Sequence, residues 1–200
     1  MPKQTDTKNK ILEVAIDLIA ELGYKGASVR KIAKAVGVRE SAIYNHYKNK
    51  EEILQTIFDQ IFVTPFEFKD LEEKAKRGKS FLREFVVAYK LIAFDKKKEK
   101  LFRVLMIELF QNRKLRESFL QEFHQKDIQQ ISKAFFIMMQ EGLIRSGDPM
   151  FMAQEFLSPL FYTRLQVSLL RIDGHSTTPI STHFERHVDF FWESIAIKSD

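Results

Sequence analysis

The sequence predicts an all-α fold in two helical domains, residues 1–50 and 51–200, on three observations. Apolar residues recur three and four positions apart in long blocks, as they do along one face of a helix. No stretch sustains the period-two alternation that a half-buried strand needs. Phenylalanine then divides the chain: all nineteen lie between Phe58 and Phe191. Small aliphatic side chains therefore build the N-terminal part, and large aromatic volume builds the rest.

Ile11, Ala15, Leu18 and Leu22, joined by Leu12, Ile16 and Ile19, give residues 7–22 a broad apolar face. Gly23 follows as a C-cap, and residues 24–27 read as a turn. Ser28 is placed to N-cap a second helix, with Val29, Ile32, Ala33 and Val36 facing inward until Gly37 ends it. A third, short helix spans about 39–47. Asn49 caps a fourth, with Glu52 three residues later as in a capping box. Ile53, Leu54, Ile57, Phe58, Ile61 and Phe62 form its apolar side up to Pro65. Further helices are predicted over 79–94, 100–111, 115–141, 149–171 and 180–197, divided by glycine and proline at 78, 142, 147–149 and 174–179. Pro159 falls inside one of them and is expected to kink it.

Composition excludes several kinds of chemistry. The chain has no cysteine, which removes disulfides, thiolate nucleophiles and cysteine-based zinc sites. The opening "MPKQTDTKNK" lacks the apolar core of a signal peptide. No apolar run approaches the roughly 18 residues of a membrane span. A soluble, cytoplasmic protein with no membrane partner is expected. Residues 1–50 hold ten Lys/Arg against five Asp/Glu, whereas residues 51–200 hold 22 of each. All of the net charge of +5 thus sits in the first quarter, which implies an anionic partner for that module.

The stretch "GVRESAIYNHYKNKEEIL", Gly37 to Leu54, concentrates hydrogen-bonding groups on one short helix. Helix two, the turn at Gly37 and helix three form a helix-turn-helix. Gly37 relaxes the backbone at the sharp turn, Ala33 lets the helices approach, and Val38 and Ile43 anchor helix three. Arg39, Glu40, Ser41, Tyr44, Asn45 and His46 remain outward, a set suited to the edges and backbone of a DNA major groove.

Residues 10–55 resemble the DNA-binding domain of the TetR family of bacterial transcriptional repressors. The matching string is "ILEVAIDLIAELGYKGASVRKIAKAVGVRESAIYNHYKNKEEIL". It carries the family's Ile-Ala pair (Ile32, Ala33), Gly-Val (Gly37, Val38), Tyr44, a His-aromatic pair (His46, Tyr47) and Lys50 opening helix four. The chain departs from the pattern where the family often has Ser (Arg39), a small residue such as Gly (Ser41) and Phe (Tyr47). Losing the Ser weakens the cap of helix three. Arg39 gains the ability to fork onto guanine. The candidate phosphate-binding residues are Ser28, Tyr44, His46 and Lys50, the first and last also lying at helix N-termini that favour an anion. The candidate base readers are Arg39, Ser41 and Asn45, with Glu40 on the same face.

The resemblance implies a homodimer that binds a double-stranded, pseudo-palindromic operator and a small-molecule effector, and that acts as a ligand-responsive repressor. The dimer would form through the last two helices, where Phe156, Leu160, Phe161 and Leu165 make one stripe and Phe184, Val188, Phe191 and Ile195, with Trp192 beside them, make another. Candidate pocket residues are Phe85, Tyr89, Phe102, Met106, Phe110, Phe123, Ile131, Phe135 and Met138, a lining for an apolar or aromatic effector. His124, Glu108 and Gln154 are possible polar anchors. Core filling is the ordinary alternative for each.

No motif points to an enzyme or a cofactor. "HFERH", His183 to His187, spaces two histidines for a shared metal, but its glutamate is out of the order zinc hydrolases use, and a polar helix face is the simpler reading. "KAKRGK" and "DKKKEK" read as exposed loops. The competing function is a helical small-molecule carrier without a regulatory role.

Overall fold

The computed structural model describes residues 3–61 and 68–197, with backbone alone for 3–5 and 122–125. Phe62 and Pro65 lie outside the described residues. The fold is all-α, with no strand among the described residues and a single isolated antiparallel bridge between Ile144 and Ala196. In chain order the helices are α1 (Lys3–Gly26), α2 (Val29–Val36), α3 (Glu40–Tyr44), α4 (Lys50–Ile61), α5 (Leu71–Ala75), α6 (Lys79–Phe94), α7 (Lys96–Glu108), α8 (Arg113–Phe119), α9 (Ile128–Gln140), α10 (Pro149–Ile172) and α11 (His183–Ile195). A π-helical segment, Leu120–Asp127, joins α8 to α9, and a short 3-10 turn, Thr178–Ile180, precedes α11.

Packing divides the chain differently from composition. The first compact unit comprises Met1–Val63 and Lys96–Ser118; the second comprises Thr64–Asp95 and Phe119–Asp200. The chain leaves the N-terminal unit and returns to it.

In the first unit, α7 packs against α1 and α4. Ile11, Ala15, Ile16 and Ile19 of α1, Ile53 and Ile57 of α4, and Leu101, Phe102 and Val104 of α7 are buried. Gly23 takes φ 70, ψ 167, breaking α1 where the C-cap is expected. One more helical turn follows, closed by the Ala27 N–H on the Gly23 carbonyl at 3.1 Å. Asn49 caps α4, its Oδ1 accepting from the Glu52 N–H at 2.8 Å. Glu52 reaches back to the Lys48 N–H at 2.5 Å, so the reciprocal bond of the capping box falls one residue early.

The "DKKKEK" run is not a loop. From Lys96 it is the first turn of α7. Lys and Glu are good helix formers, and Glu99, buried, is held by Arg103 one turn on at 2.9 Å. "KAKRGK" begins within α5, a short helix that the periodicity does not announce.

The second unit is built on aromatic packing. Phe156 of α10 meets Phe135 edge-on at 5.8 Å and lies 6.1 Å from Phe85 and 5.2 Å from Phe191. Asp148 caps α10 through the N–H groups of Met150 and Phe151, with Pro149 in the first turn. The helix runs through Pro159 as one element. The expected single helix over 115–141 is instead α8, the π-helical segment and α9. Most of the two stripes on α10 and α11 faces inward: Phe156, Leu160, Phe184, Val188, Phe191 and Ile195 are core, whereas Phe161, Leu165 and Trp192 are half-buried. What α10 and α11 leave exposed is a different set, Met150, Phe151, Tyr162, Leu169, Ile172 and Phe190, the last 73% exposed.

Candidate nucleic-acid interface

The site begins at Ser28. Its side chain accepts from the Lys31 N–H at 3.2 Å and opens α2, while the residue itself stays exposed. Ile32, Ala33 and Val36 bury one face of α2. Gly37 then takes φ 84, and its N–H and that of Val38 both bond to the Ala33 carbonyl at 3.0 Å. Among the described residues nothing stands within 4 Å of where a Cβ on Gly37 would point. The left-handed backbone, rather than lack of room, therefore selects glycine here.

Arg39 precedes α3 with no side-chain cap, the consequence expected of a position that lacks serine. Five residues long, α3 is pinned by Ile43 and, just beyond its end, by Tyr47, both buried. The Tyr47 hydroxyl reaches the Lys8 carbonyl at 3.5 Å, and burial pushes its phenol above the ordinary range. Phenylalanine would fill the same space; tyrosine adds a tie to α1. With 43 and 47 inward, Arg39, Glu40, Ser41, Tyr44 and Asn45 are exposed and His46 is half-buried. Tyr44 is 53% exposed, far above what a packing tyrosine shows. The candidate residues of helix three therefore share one surface.

Lys50 is placed differently. Its ammonium bonds to the Tyr24 carbonyl and lies 3.9 Å from the centre of the Tyr24 ring. The Tyr24 hydroxyl donates to Glu51 at 2.8 Å, and the Tyr24 N–H donates to Glu108 of α7, also at 2.8 Å. Burial lowers the Lys50 pKa, against the pull of Glu51 and Glu108. Burial, then the bond to Glu51, raises the Tyr24 phenol. The bond from Tyr24 in turn lowers the Glu51 carboxyl. Lys50 is thus a structural tie as well as a cation. Arg30, Lys34, Arg39 and Lys48 are exposed and form no ion pair among the described residues. Of these, Arg30, Lys34 and Lys48 were legible only as part of the local charge excess.

The candidate pocket residues separate. Phe85, Phe135 and Met138 are buried together in the second unit's core, with Ile131 beside them and Tyr89 packed against it. Phe102 and Met106 belong to α7 in the first unit, where Phe102 is core. Phe110, also in that unit, is 81% exposed. Phe123 and His124 lie outside the described side chains. Glu108 is committed to Tyr24, and Gln154 lies on α10, its carbonyl accepting from Ser158 at 2.7 Å. A cleft of about 350 Å³ on the second unit is lined by Phe151, Pro159, His187 and Phe190 among others. His187 bonds to the Phe156 carbonyl at 2.8 Å and stacks on its ring. The described residues hold no group of three or more potential metal ligands, and none of the described helices is long and apolar enough to cross a membrane.

Comparison with known proteins meets this geometry at both ends of the chain. Residues 11–57 match the family described as bacterial regulatory proteins, tetR family. Residues 80–193 match the C-terminal domain of AefR-like transcriptional repressors. The fatty acid metabolism regulator protein of Bacillus subtilis is 33% identical over 141 residues, covering 69% of this chain and 66%, just under two thirds, of that protein. A TetR transcriptional regulator from Chloroflexus aurantiacus superposes with a TM-score of 0.71 at 16% identity, over 99% of this chain and 100% of its own. SmeT, the repressor of the Stenotrophomonas maltophilia efflux pump SmeDEF, solved with triclosan, superposes with a TM-score of 0.69 at 17% identity, over 97% and 93%.

Proposed function

The chain belongs to the tetR family of bacterial regulatory proteins, transcriptional regulators rather than enzymes, and from that premise we propose a ligand-responsive repressor that binds a pseudo-palindromic operator as a homodimer. One observation carries the reading of the site. A short helix held from beneath by Ile43 and Tyr47 turns Arg39, Glu40, Ser41, Tyr44 and Asn45 to solvent, in the quarter of the sequence whose balance of +5 equals the net charge of the whole chain. Such a surface fits a major groove, where helix-borne side chains reach base edges and basic residues meet phosphates.

Within it, Ser28, Tyr44, His46 and Lys50 bind phosphate, Lys50 with the ammonium hydrogens that its carbonyl partner leaves over. Arg39, Ser41 and Asn45 read bases. Residues 1–50 form the DNA-binding domain and 51–200 the ligand-binding and dimerisation domain. The dimer forms through α10 and α11, supported by the apolar residues that those helices leave exposed. Two recognition helices roughly one DNA turn apart then meet successive major grooves. The effector is apolar or aromatic and lodges among Phe85, Tyr89, Phe135 and Met138. A relative named for fatty acid metabolism and a neighbour solved with triclosan fit that choice. The site of action is the cytoplasm, where the operator is.

Enrichment of random duplexes on the full-length protein at low ionic strength tests the reading. A pseudo-palindrome is expected. Recovery of no preferred sequence, with the protein monomeric, would leave a helical small-molecule carrier as the better description.

A further inference from the structure

The interface between α6 and α10, inside the second unit, buries polar atoms that the fold does not use. Ser168 Oγ is buried with no hydrogen-bond partner among the described residues, and the Tyr89 hydroxyl is buried with only the Arg164 guanidinium beside it. Ser168 is 3% exposed. Arg171 donates through Nη2 to the Phe94 carbonyl at 2.7 Å, while its Nη1 is buried without a partner. Folded proteins rarely leave such groups unpaired, because each has given up water and gained nothing.

These groups share a neighbourhood. The Arg164 guanidinium sits 5.9 Å from the Tyr89 ring centre, and that of Arg171 sits 5.8 Å from the Phe94 ring centre. Tyr89 and Phe94 lie on α6; Arg164 and Arg171 lie on α10. Ser168 falls between the two arginines, one turn from each, and so faces the same seam. Around it stand Phe85, 6.3 Å from Tyr89, and Phe184, 6.2 Å from Tyr89 and 6.0 Å from Phe94.

We propose that Tyr89, Ser168 and Arg171 form the head-group site for an apolar ligand that ends in a carboxylate. This rests on the effector reading above and gives the effector a chemical class. Two hydroxyls can donate, and a guanidinium can only donate, so an anion satisfies all three at once. The surrounding charge agrees. Glu185 is paired to Lys90 at 2.6 Å, though its second oxygen is buried and unbonded. Arg164 stands against Tyr89, with Asp127 the weaker opposing charge there. Arg171, against a carbonyl and a ring, is the second cation of the seam. The rings of Phe85, Phe94 and Phe184 offer an apolar bed for the remainder of the ligand.

The test uses full-length protein and a panel of straight-chain fatty carboxylates, from decanoate to hexadecanoate, beside the matching alcohols and alkyltrimethylammonium salts. Affinity is measured by calorimetry for the wild type, Tyr89→Phe, Ser168→Ala and Arg171→Met. The carboxylates are expected to bind the wild type about tenfold tighter than the alcohols, the weight of one charge-assisted hydrogen bond. Each variant should lose about that factor for carboxylates and nothing for alcohols. Ser168→Ala should melt no lower than wild type without ligand, since no bond is removed, so the test survives if Arg171→Met fails to fold. Equal affinity for acids and alcohols, a preference for the ammonium salts, no binding, or wild-type affinity in the two hydroxyl variants would overturn the site. Operator binding measured alongside separates the two readings. Carboxylate capture that leaves DNA affinity unchanged spares the site and sinks the effector role. Release of DNA by a neutral ligand, with no carboxylate bound, does the reverse.

Discussion

Glu108, at the end of α7, accepts a hydrogen bond at 2.8 Å from the backbone N–H of Tyr24, 84 residues earlier in the chain. The carboxylate is only 5% exposed. Tyr24 in turn holds Lys50 through its carbonyl and its ring, at the start of α4. One buried acidic side chain therefore fixes the bend that follows Gly23 and, through it, the entry to the helix behind the recognition element.

Glu108→Leu strands the Tyr24 N–H in a buried site. The expected loss is about 1–3 kcal/mol, which for a chain of this size lowers the melting temperature by several degrees. Glu108→Gln keeps an acceptor and should lose less. Thermal melting of the two variants, with operator affinity measured beside it, checks the ranking; equal melting of Leu and Gln variants would refute the role.

Arg39→Ala should leave the fold intact, because the side chain is exposed and caps nothing. The expected effect is relaxed preference at one base pair of each half-site, worth about 1–3 kcal/mol. Sequences enriched by the variant and the wild type can be compared position by position. An unaltered site removes Arg39 as a reader.

Lys50→Ala is predicted to weaken all duplexes alike and to lower the salt slope of binding by about 1. The tie to Tyr24 adds a second expectation, a lower melting temperature without DNA. A stability loss with an unchanged salt slope would mean that Lys50 only braces the domain.

Stability should fall on mild acidification through His187. Burial lowers its pKa from the usual 6.5, although the bond to the Phe156 carbonyl opposes the shift. The unfolded chain therefore takes up a proton before the folded one does. The contribution is complete above the unfolded pKa and is lost as pH falls through the folded value. Arg145, Asp148 and Glu155 line the same cleft and can modulate it. Melting curves from about pH 8 to about pH 5 should slope less for His187→Gln than for wild type.

Phe190→Glu places a charge on the most exposed large apolar side chain of α11. The monomer should still fold, since Phe184, Val188 and Phe191 build the core from the other face. Sedimentation should report a monomer, and operator binding should be lost with the dimer. A dimeric variant would move the interface elsewhere.

The residues themselves made much of this architecture readable. The periodicity of α1, the capping serine at 28, the glycine at 37 and the apolar side of α4 are local signals, and each produced the element expected. The exposed face of α3 was readable because burying Ile43 leaves the outward positions only one way to point; the burial of Tyr47 came from the structure. What stayed hidden depends on contacts distant in sequence. Nothing near Lys96 announces that α7 packs on α1, and nothing in Glu108 announces a partner at Tyr24. The π-helical segment breaks a helix without glycine or proline. The stripes on α10 and α11 are correct as helices, but periodicity cannot say whether an apolar face meets its own core or another chain. The pocket list mixed two units for the same reason.

The return of the chain at Lys96–Ser118 to the unit begun by Met1–Val63 has a consequence for how such proteins are made and reshuffled. A ribosome must release more than half of the polypeptide before α7 can cover α1 and α4, so the reading head cannot mature ahead of the polypeptide that follows it. Grafting the first sixty-odd residues onto a foreign partner would leave those helices wet along one side. Evolution can exchange such heads cleanly only by carrying an inner helix along with them.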